Sequence, residues 1–66
     1  MSELIITPGC VVLIKCFDDI PAHQFLVYEV FSDFITGKAL TGPLAGEYGE
    51  PEMTLVLEVL SGSREG

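Results

Sequence analysis

The sequence predicts an all-β fold, a small and strongly bent antiparallel sheet of about four or five strands. Its apolar segments are short and rich in β-branched and aromatic residues, which favours strands over helices. Clusters of proline, glycine and aspartate interrupt these segments at close intervals. The chain has 66 residues, enough for one domain but not for two packed sheets. The strands are therefore expected to form one sheet that curls on itself.

The first predicted strand covers residues 10–17. Alternation along it places Val11 and Leu13 on one face and the two cysteines, Cys10 and Cys16, on the other. Both faces are expected to be largely buried, and both thiols are predicted to act as small buried hydrophobes. The two sulfur-bearing residues would lie about 20 Å apart along a strand, which is too far for a disulfide between them.

Two further strands are predicted after a loop at 18–23. Two aspartates and a proline favour a loop there, although an aspartate before a proline can also cap a helix, and a helix starting at this point is the alternative. The aromatic and β-branched residues that follow favour a strand over 24–32. A tight turn at 32–34 then leads to an antiparallel third strand over 35–41, in which Gly37 indicates a bulge or sharp coiling.

The final third of the chain is predicted to be a long loop followed by one strand. Residues 42–52 contain three glycines, two prolines and three glutamates, so no regular strand or helix is expected there. Loops of this length in a small domain are often functional. Alternation of apolar residues predicts the last strand over 53–60. The small polar residues 61–66 are expected to be a flexible tail.

The order of these elements resembles that of SH3-like barrels. One segment also resembles a stretch found in small uncharacterised bacterial proteins, including products of mobile gene cassettes: Val30-Phe31-x-Asp33-x-x-Thr36-Gly37-x-Ala39-Leu40-Thr41-Gly42-Pro43. The resemblance covers about residues 8–60 and implies a single SH3-like β-barrel domain over 1–60. It implies no function, because SH3-like barrels include peptide binders, nucleic-acid binders and enzyme subunits. The aromatic groove that binds proline-rich peptides in some of them is not expected in a chain without tryptophan.

The composition argues against several classes of function. The net charge is −7, and the only basic residues are Lys15, Lys38 and Arg64, so direct nucleic-acid binding is not expected. The longest apolar stretch, residues 10–14, is too short to cross a bilayer, and the N-terminus lacks the basic start and cleavage site of a signal peptide. No membrane association and a cytoplasmic location are expected. The acidity fits simple solubility, a basic protein partner or mimicry of nucleic acid.

No catalytic, cofactor or metal site is predicted. The chain contains no G-x-G-x-x-G, P-loop or G-x-S-x-G motif. A single histidine and two cysteines without C-x-x-C spacing do not predict a metal site. A catalytic pair of His23 and Cys16 is disfavoured, because a thiol in an apolar strand is inert. His23 is more simply a loop histidine with an ordinary hydrogen bond, and the protein is not expected to be an enzyme.

Two sets of residues are candidates for binding. The loop residues that could form a partner-binding patch are Asp18, Asp19, His23, Glu47, Tyr48, Glu50 and Glu52. The alternative for the three glutamates is a solvated acidic loop or a cation-binding patch, although no usual calcium-loop spacing occurs. The apolar residues that could mediate self-association are Val11, Leu13, Phe25, Val27 and Phe31.

Three functions follow from these patterns. The first is a non-enzymatic protein-interaction module that self-associates as a homo-oligomer, since the chain has more apolar residues than one small core can bury. The second is an acidic inhibitor or adaptor that docks a basic protein, which requires Glu47, Glu50 and Glu52 to share one exposed face with Asp18 or Asp19. The third is a small-ligand binder with a site between subunits, formed by the loops at 18–24 and 42–52.

Overall fold

A computed structural model describes residues 5–61, which form one antiparallel sheet of five strands with almost no helix. The all-β prediction is therefore confirmed. The strands are β1 (Val11–Ile14), β2 (His23–Val30), β3 (Ile35–Ala39), β4 (Tyr48–Gly49) and β5 (Val56–Ser61). A single 3₁₀ turn, Met53–Leu55, lies between β4 and β5 within the described residues. No helix among those residues has the length and apolar character needed to span a bilayer.

The strands follow the order β4-β3-β2-β1-β5. The first four form a meander, and β5 returns to pair with β1. Beyond β4 the chain continues along β3, where the Ile35 N–H donates to the Pro51 carbonyl at 3.0 Å. The 3₁₀ turn then carries it to the other side, where the Lys15 N–H donates to the Leu55 carbonyl at 2.7 Å. This route bends the sheet, but the sheet is not closed, because β4 and β5 remain at opposite ends of its order.

The first strand is shorter than predicted, and this changes the position of one cysteine. Strand β1 ends at Ile14, and the chain leaves the sheet for a tight turn closed by two backbone hydrogen bonds between Phe17 and Ile20. Asp18 occupies the left-handed region there, with φ 49°. Because the alternation of a strand no longer applies beyond Ile14, the prediction that both thiols are buried is wrong for Cys16, which is exposed, and right for Cys10.

Strands β2 and β3 lie where the sequence predicted them, with slightly different ends, and the alternative helix is not formed. The prediction of a loop histidine is wrong, because β2 begins at His23 and the side chain of this residue is buried. A bulge or sharp coiling was predicted at Gly37 in the third strand, and the structure has the bulge on the paired strand, β2. Val27 faces Gly37 and Glu29 faces Thr36, so Tyr28 is the extra residue. A Cβ atom on Gly37 would lie 1.9 Å from the Leu26 carbonyl oxygen. Only glycine therefore fits at this position of the sheet.

The sequence predicted that residues 42–52 form a loop throughout, but the structure has a short strand within them. Gly42 and Gly46 adopt positive φ values of 83° and 86° and turn the chain back toward the sheet. Tyr48 can then pair with Lys38, which adds β4 to the edge of β3. The predicted last strand also changes, since residues 53–55 form the 3₁₀ turn and the strand itself runs from 56 to 61. Apart from residue 61, the predicted tail lies outside the described residues.

One face of the sheet carries the core. Its buried hydrophobic residues are Cys10, Val12, Ile14, Phe25, Val27, Ile35, Ala39 and Val56. On the opposite face Val11 and Leu13 are only half-buried. The expectation that both faces of the first strand are largely buried therefore holds only for the inner face. Phe25 and Val27, predicted for self-association, are 2% and 1% exposed and belong to the core of the chain itself.

Candidate functional site

A cleft of about 550 Å³ opens on the inner face of the sheet. This volume lies in the range of roughly 300–1,000 Å³ that is usual for ligand sites. The residues that line it are Ile14, Phe17, His23, Phe25, Ala39, Leu44, Glu47, Tyr48, Gly49, Glu50, Pro51, Glu52 and Leu55. The sequence had indicated that a concave site would need two subunits. One chain is sufficient, because the sheet bends around the cleft without closing over it.

The floor of the cleft is formed by buried residues from three adjacent strands. Ile14 lies opposite His23, and Phe25 lies opposite Ala39, in the antiparallel pairing of β1, β2 and β3. All four residues are buried. With the exception of the imidazole, the floor is therefore apolar.

Half-buried apolar residues from the connections form the walls. Phe17, Leu44 and Leu55 all pack against the core cluster while also lining the cleft. The Phe17 ring lies 6.1 Å from the His23 ring between centroids, at an interplanar angle of 53°. This is within the range of ordinary tilted aromatic contacts. The walls extend the apolar surface of the floor toward the mouth.

His23 is the one imidazole of the chain, and its orientation is fixed. Its side chain is 4% exposed, and Nδ1 lies 2.8 Å from the Pro21 carbonyl oxygen. Because a carbonyl can only accept, Nδ1 carries the hydrogen, and Nε2 of the neutral ring is left as an acceptor. In residues 5–61 every fully buried side-chain nitrogen or oxygen has a hydrogen-bond partner. Nε2 has no hydrogen-bond partner within these residues, and the ring that carries it lines the cleft.

The mouth of the cleft carries three carboxylates, Glu47, Glu50 and Glu52, all exposed. The Tyr48 hydroxyl donates to Glu50 Oε2 at 3.0 Å. This hydrogen bond is the main cause that raises the pKa of Tyr48 above its ordinary value, and desolvation and the charge of Glu50 act in the same direction. The tyrosine hydroxyl therefore stays protonated as a donor beside the acidic rim.

The rim carboxylates do not converge on one point. No three His, Cys, Asp or Glu side chains of the described part of the chain are placed to hold a metal ion together. Neither Lys15 nor Lys38 lines the cleft. The mouth is thus a distributed negative surface above an apolar interior, which attracts cationic groups without fixing one ion.

Five of the predicted partner-binding residues meet at this cleft, namely His23, Glu47, Tyr48, Glu50 and Glu52. Asp18 and Asp19 are exposed in the turn next to Phe17 and do not line it. Cys16 is also absent from the lining. Sequence reasoning missed the apolar members. Only Phe25 had a usable signal, since it lies two residues after His23 and so shares a strand face with it.

No protein-family model, curated protein or solved structure matches the chain. The resemblance to SH3-like barrels and to small bacterial proteins stays a prediction.

Proposed function

We propose that this chain is a non-enzymatic protein-interaction module, an SH3-like barrel, that docks a basic partner in its cleft. One observation carries the proposal: the cleft has an apolar floor and a mouth that bears Glu47, Glu50 and Glu52 without a lysine. The return of β5 to β1, which bends the sheet toward closure, supports the barrel.

The chemistry of the lining favours binding over catalysis. His23 faces aromatic and aliphatic neighbours, and the cleft as described contains no cysteine, serine or threonine that it could activate as a nucleophile. The Tyr48 hydroxyl already donates to Glu50. The groups present can accept hydrogen bonds, attract positive charge and bury apolar surface, which are the requirements of a docking site.

The two parts of the cleft contribute differently to binding. Exposed ion pairs are worth only about 0–1 kcal/mol each, so the rim mainly steers a basic segment and selects it against acidic ones. Burial of an apolar side chain in the interior supplies most of the affinity, at roughly 25 cal/mol per Å². The best partner segment therefore combines an apolar anchor with flanking lysine or arginine.

The acetylated and amidated peptide Lys-Lys-Leu-Lys-Lys tests this proposal by isothermal titration at low salt. The double variant Glu47→Gln/Glu52→Gln is expected to bind it about tenfold more weakly than the wild type, because two rim charges are lost. The matched control Glu29→Gln/Glu58→Gln removes two charges that do not line the cleft. It should bind nearly as well as the wild type. An equal loss in both variants, or no binding by the wild type, would contradict the proposal.

A second candidate is self-association through the outer face of the sheet. Val11 and Leu26 lie opposite each other there, with Leu13 two residues along β1. These three side chains are half-buried, and Leu40 is exposed after the inward-facing Ala39. Apolar side chains left partly exposed on an open sheet face are typical of an interface between identical subunits, and here they alternate with Gln24, Lys38 and Glu58 on the neighbouring strands.

Sedimentation velocity across a range of concentrations tests this second candidate. The wild-type chain should shift from monomer to dimer as concentration rises. Leu13→Asp should remain monomeric, because it places a charge in the apolar surface. Phe31→Ser should also favour the monomer, because it removes another apolar side chain that was predicted to mediate self-association. Phe31 is exposed and stacks on Phe34 at 4.9 Å between ring centroids. A wild-type protein that stays monomeric up to millimolar concentration rules out this interface.

A further inference from the structure

We infer that the anchor docked in the cleft is an aromatic side chain that carries a hydrogen-bond donor, a tyrosine, and that its hydroxyl donates to Nε2 of His23. The inference rests on the proposed function and names the residue that the partner inserts. Three observations lead to it: the unpaired acceptor on the floor, the shape and composition of the interior, and the separation of the carboxylates from the floor.

The first observation is the state of the imidazole. His23 is 96% buried, since its exposed fraction is 4%, and its Nδ1–H is already held by the Pro21 carbonyl. Nε2 therefore presents one fixed acceptor to an interior that is otherwise apolar. An aliphatic or phenyl anchor would displace water from this nitrogen and leave it unpaired, which is unfavourable. An anchor with a single donor at its tip would replace the lost water.

The second observation is the space around the imidazole. Phe17 and Phe25 contribute two aromatic rings to the lining, and Leu44 and Leu55 contribute aliphatic surface. An aromatic anchor fills such a space with a large apolar area and few rotatable bonds, and tyrosine carries its donor at the far end of the ring. The hydroxyls of serine and threonine are too close to the peptide backbone to fill the cleft and reach its floor.

The third observation is where the charges lie. Glu47, Glu50 and Glu52 are exposed at the mouth, whereas the floor has no carboxylate. A lysine or arginine inserted to the floor would lose its hydration without gaining a counter-charge. The cationic groups of the partner are therefore placed at the mouth, and the donor that reaches His23 is neutral.

A double-mutant cycle tests the contact directly. The peptides Lys-Lys-Tyr-Lys-Lys and Lys-Lys-Phe-Lys-Lys differ by one hydroxyl, and both are titrated into the full chain and into His23→Phe. The wild type should bind the tyrosine peptide about fivefold to tenfold more tightly than the phenylalanine peptide, as expected for one buried hydrogen bond. In His23→Phe this ratio should fall to about one, because the acceptor is gone.

The outcomes separate this inference from the proposed function. If the wild type binds both peptides equally, or if the preference for tyrosine persists in His23→Phe, the inference is overturned. The proposed function still stands in that case, provided that Lys-Lys-Leu-Lys-Lys binds and depends on the rim carboxylates. If none of the three peptides binds, the inference and the proposed function fail together.

A measurement on the wild type covers the case in which His23→Phe does not fold. The ¹⁵N resonance of His23 Nε2 reports directly on hydrogen bonds to that nitrogen. It should move when the tyrosine peptide is added and move much less with the phenylalanine peptide. The same displacement with both peptides, or none with either, contradicts the contact.

Discussion

Replacement of Gly37 by alanine is expected to remove a large part of the stability of the fold. The added Cβ would lie 1.9 Å from the Leu26 carbonyl oxygen and 2.8 Å from Cε2 of Phe25. The first of these atoms belongs to the backbone of the neighbouring strand and cannot rotate away, so β2 and β3 would have to separate. We expect a loss of about 3–4 kcal/mol. A domain of this size has roughly 3–10 kcal/mol in total.

Gly49→Ala is the matched control, because Gly49 pairs with Gly37 across β3 and β4. A Cβ on Gly49 would lie 3.7 Å from Cε1 of Phe25, an ordinary contact. The change should therefore alter the free energy of unfolding by less than about 1 kcal/mol. Urea denaturation of the wild type and both variants measures the difference. Equal stabilities for the two alanine variants would mean that β2 does not pass so close to Gly37.

Ile14→Ala is expected to cost about 3–4 kcal/mol, in the range for truncation of a buried aliphatic side chain. Ile14 is fully buried, belongs to the core cluster and forms part of the floor of the cleft. The substitution removes packing from both, and a small domain has little spare stability to offset the cavity. Thermal unfolding followed by circular dichroism should show a much lower midpoint or no transition at all.

Leu13→Ala provides the comparison for Ile14→Ala, since the two positions are adjacent on β1 and face opposite sides of the sheet. Leu13 is half-buried, and its truncation should cost only about 1 kcal/mol. The larger effect must therefore occur at position 14. If Leu13→Ala were the more damaging change, the inner and outer faces of β1 would be assigned the wrong way round.

The sequence is sufficient to predict the fold class because the signals for it are local. Alternation in β2 and the glycine in β3 were visible without any knowledge of the partners of these strands. Strand β4 was not predictable in this way. It has two residues, and it forms because Gly42 and Gly46 turn the chain until Tyr48 meets Lys38. Pairing of this kind depends on tertiary contacts rather than on propensity. Cys16 was misplaced for a related reason, since nothing local shows that β1 stops at Ile14.

The polar residues of the candidate site were predicted as one set, but the sequence did not show the geometry that brings them together. His23 attracted attention as the one imidazole, and Glu47, Glu50 and Glu52 as a cluster of carboxylates, but position 47 lies 24 positions after position 23 in the chain. Only the bend of the sheet brings them to one cleft. The apolar walls could not be predicted, because Leu44 and Leu55 look like any other core or loop residue in the sequence. In this site only the polar residues and Phe25 could be recognised from the sequence.

We expect the cleft, and not the outer face of the sheet, to receive the basic partner. Amide chemical-shift mapping of the ¹⁵N-labelled chain with Lys-Lys-Leu-Lys-Lys tests it most directly. The shifts should concentrate at His23, Leu44, Glu50 and Leu55, with little change at Val11 and Leu13. Shifts confined to β1 and β5 on the outer face, or spread evenly over the surface, would contradict it.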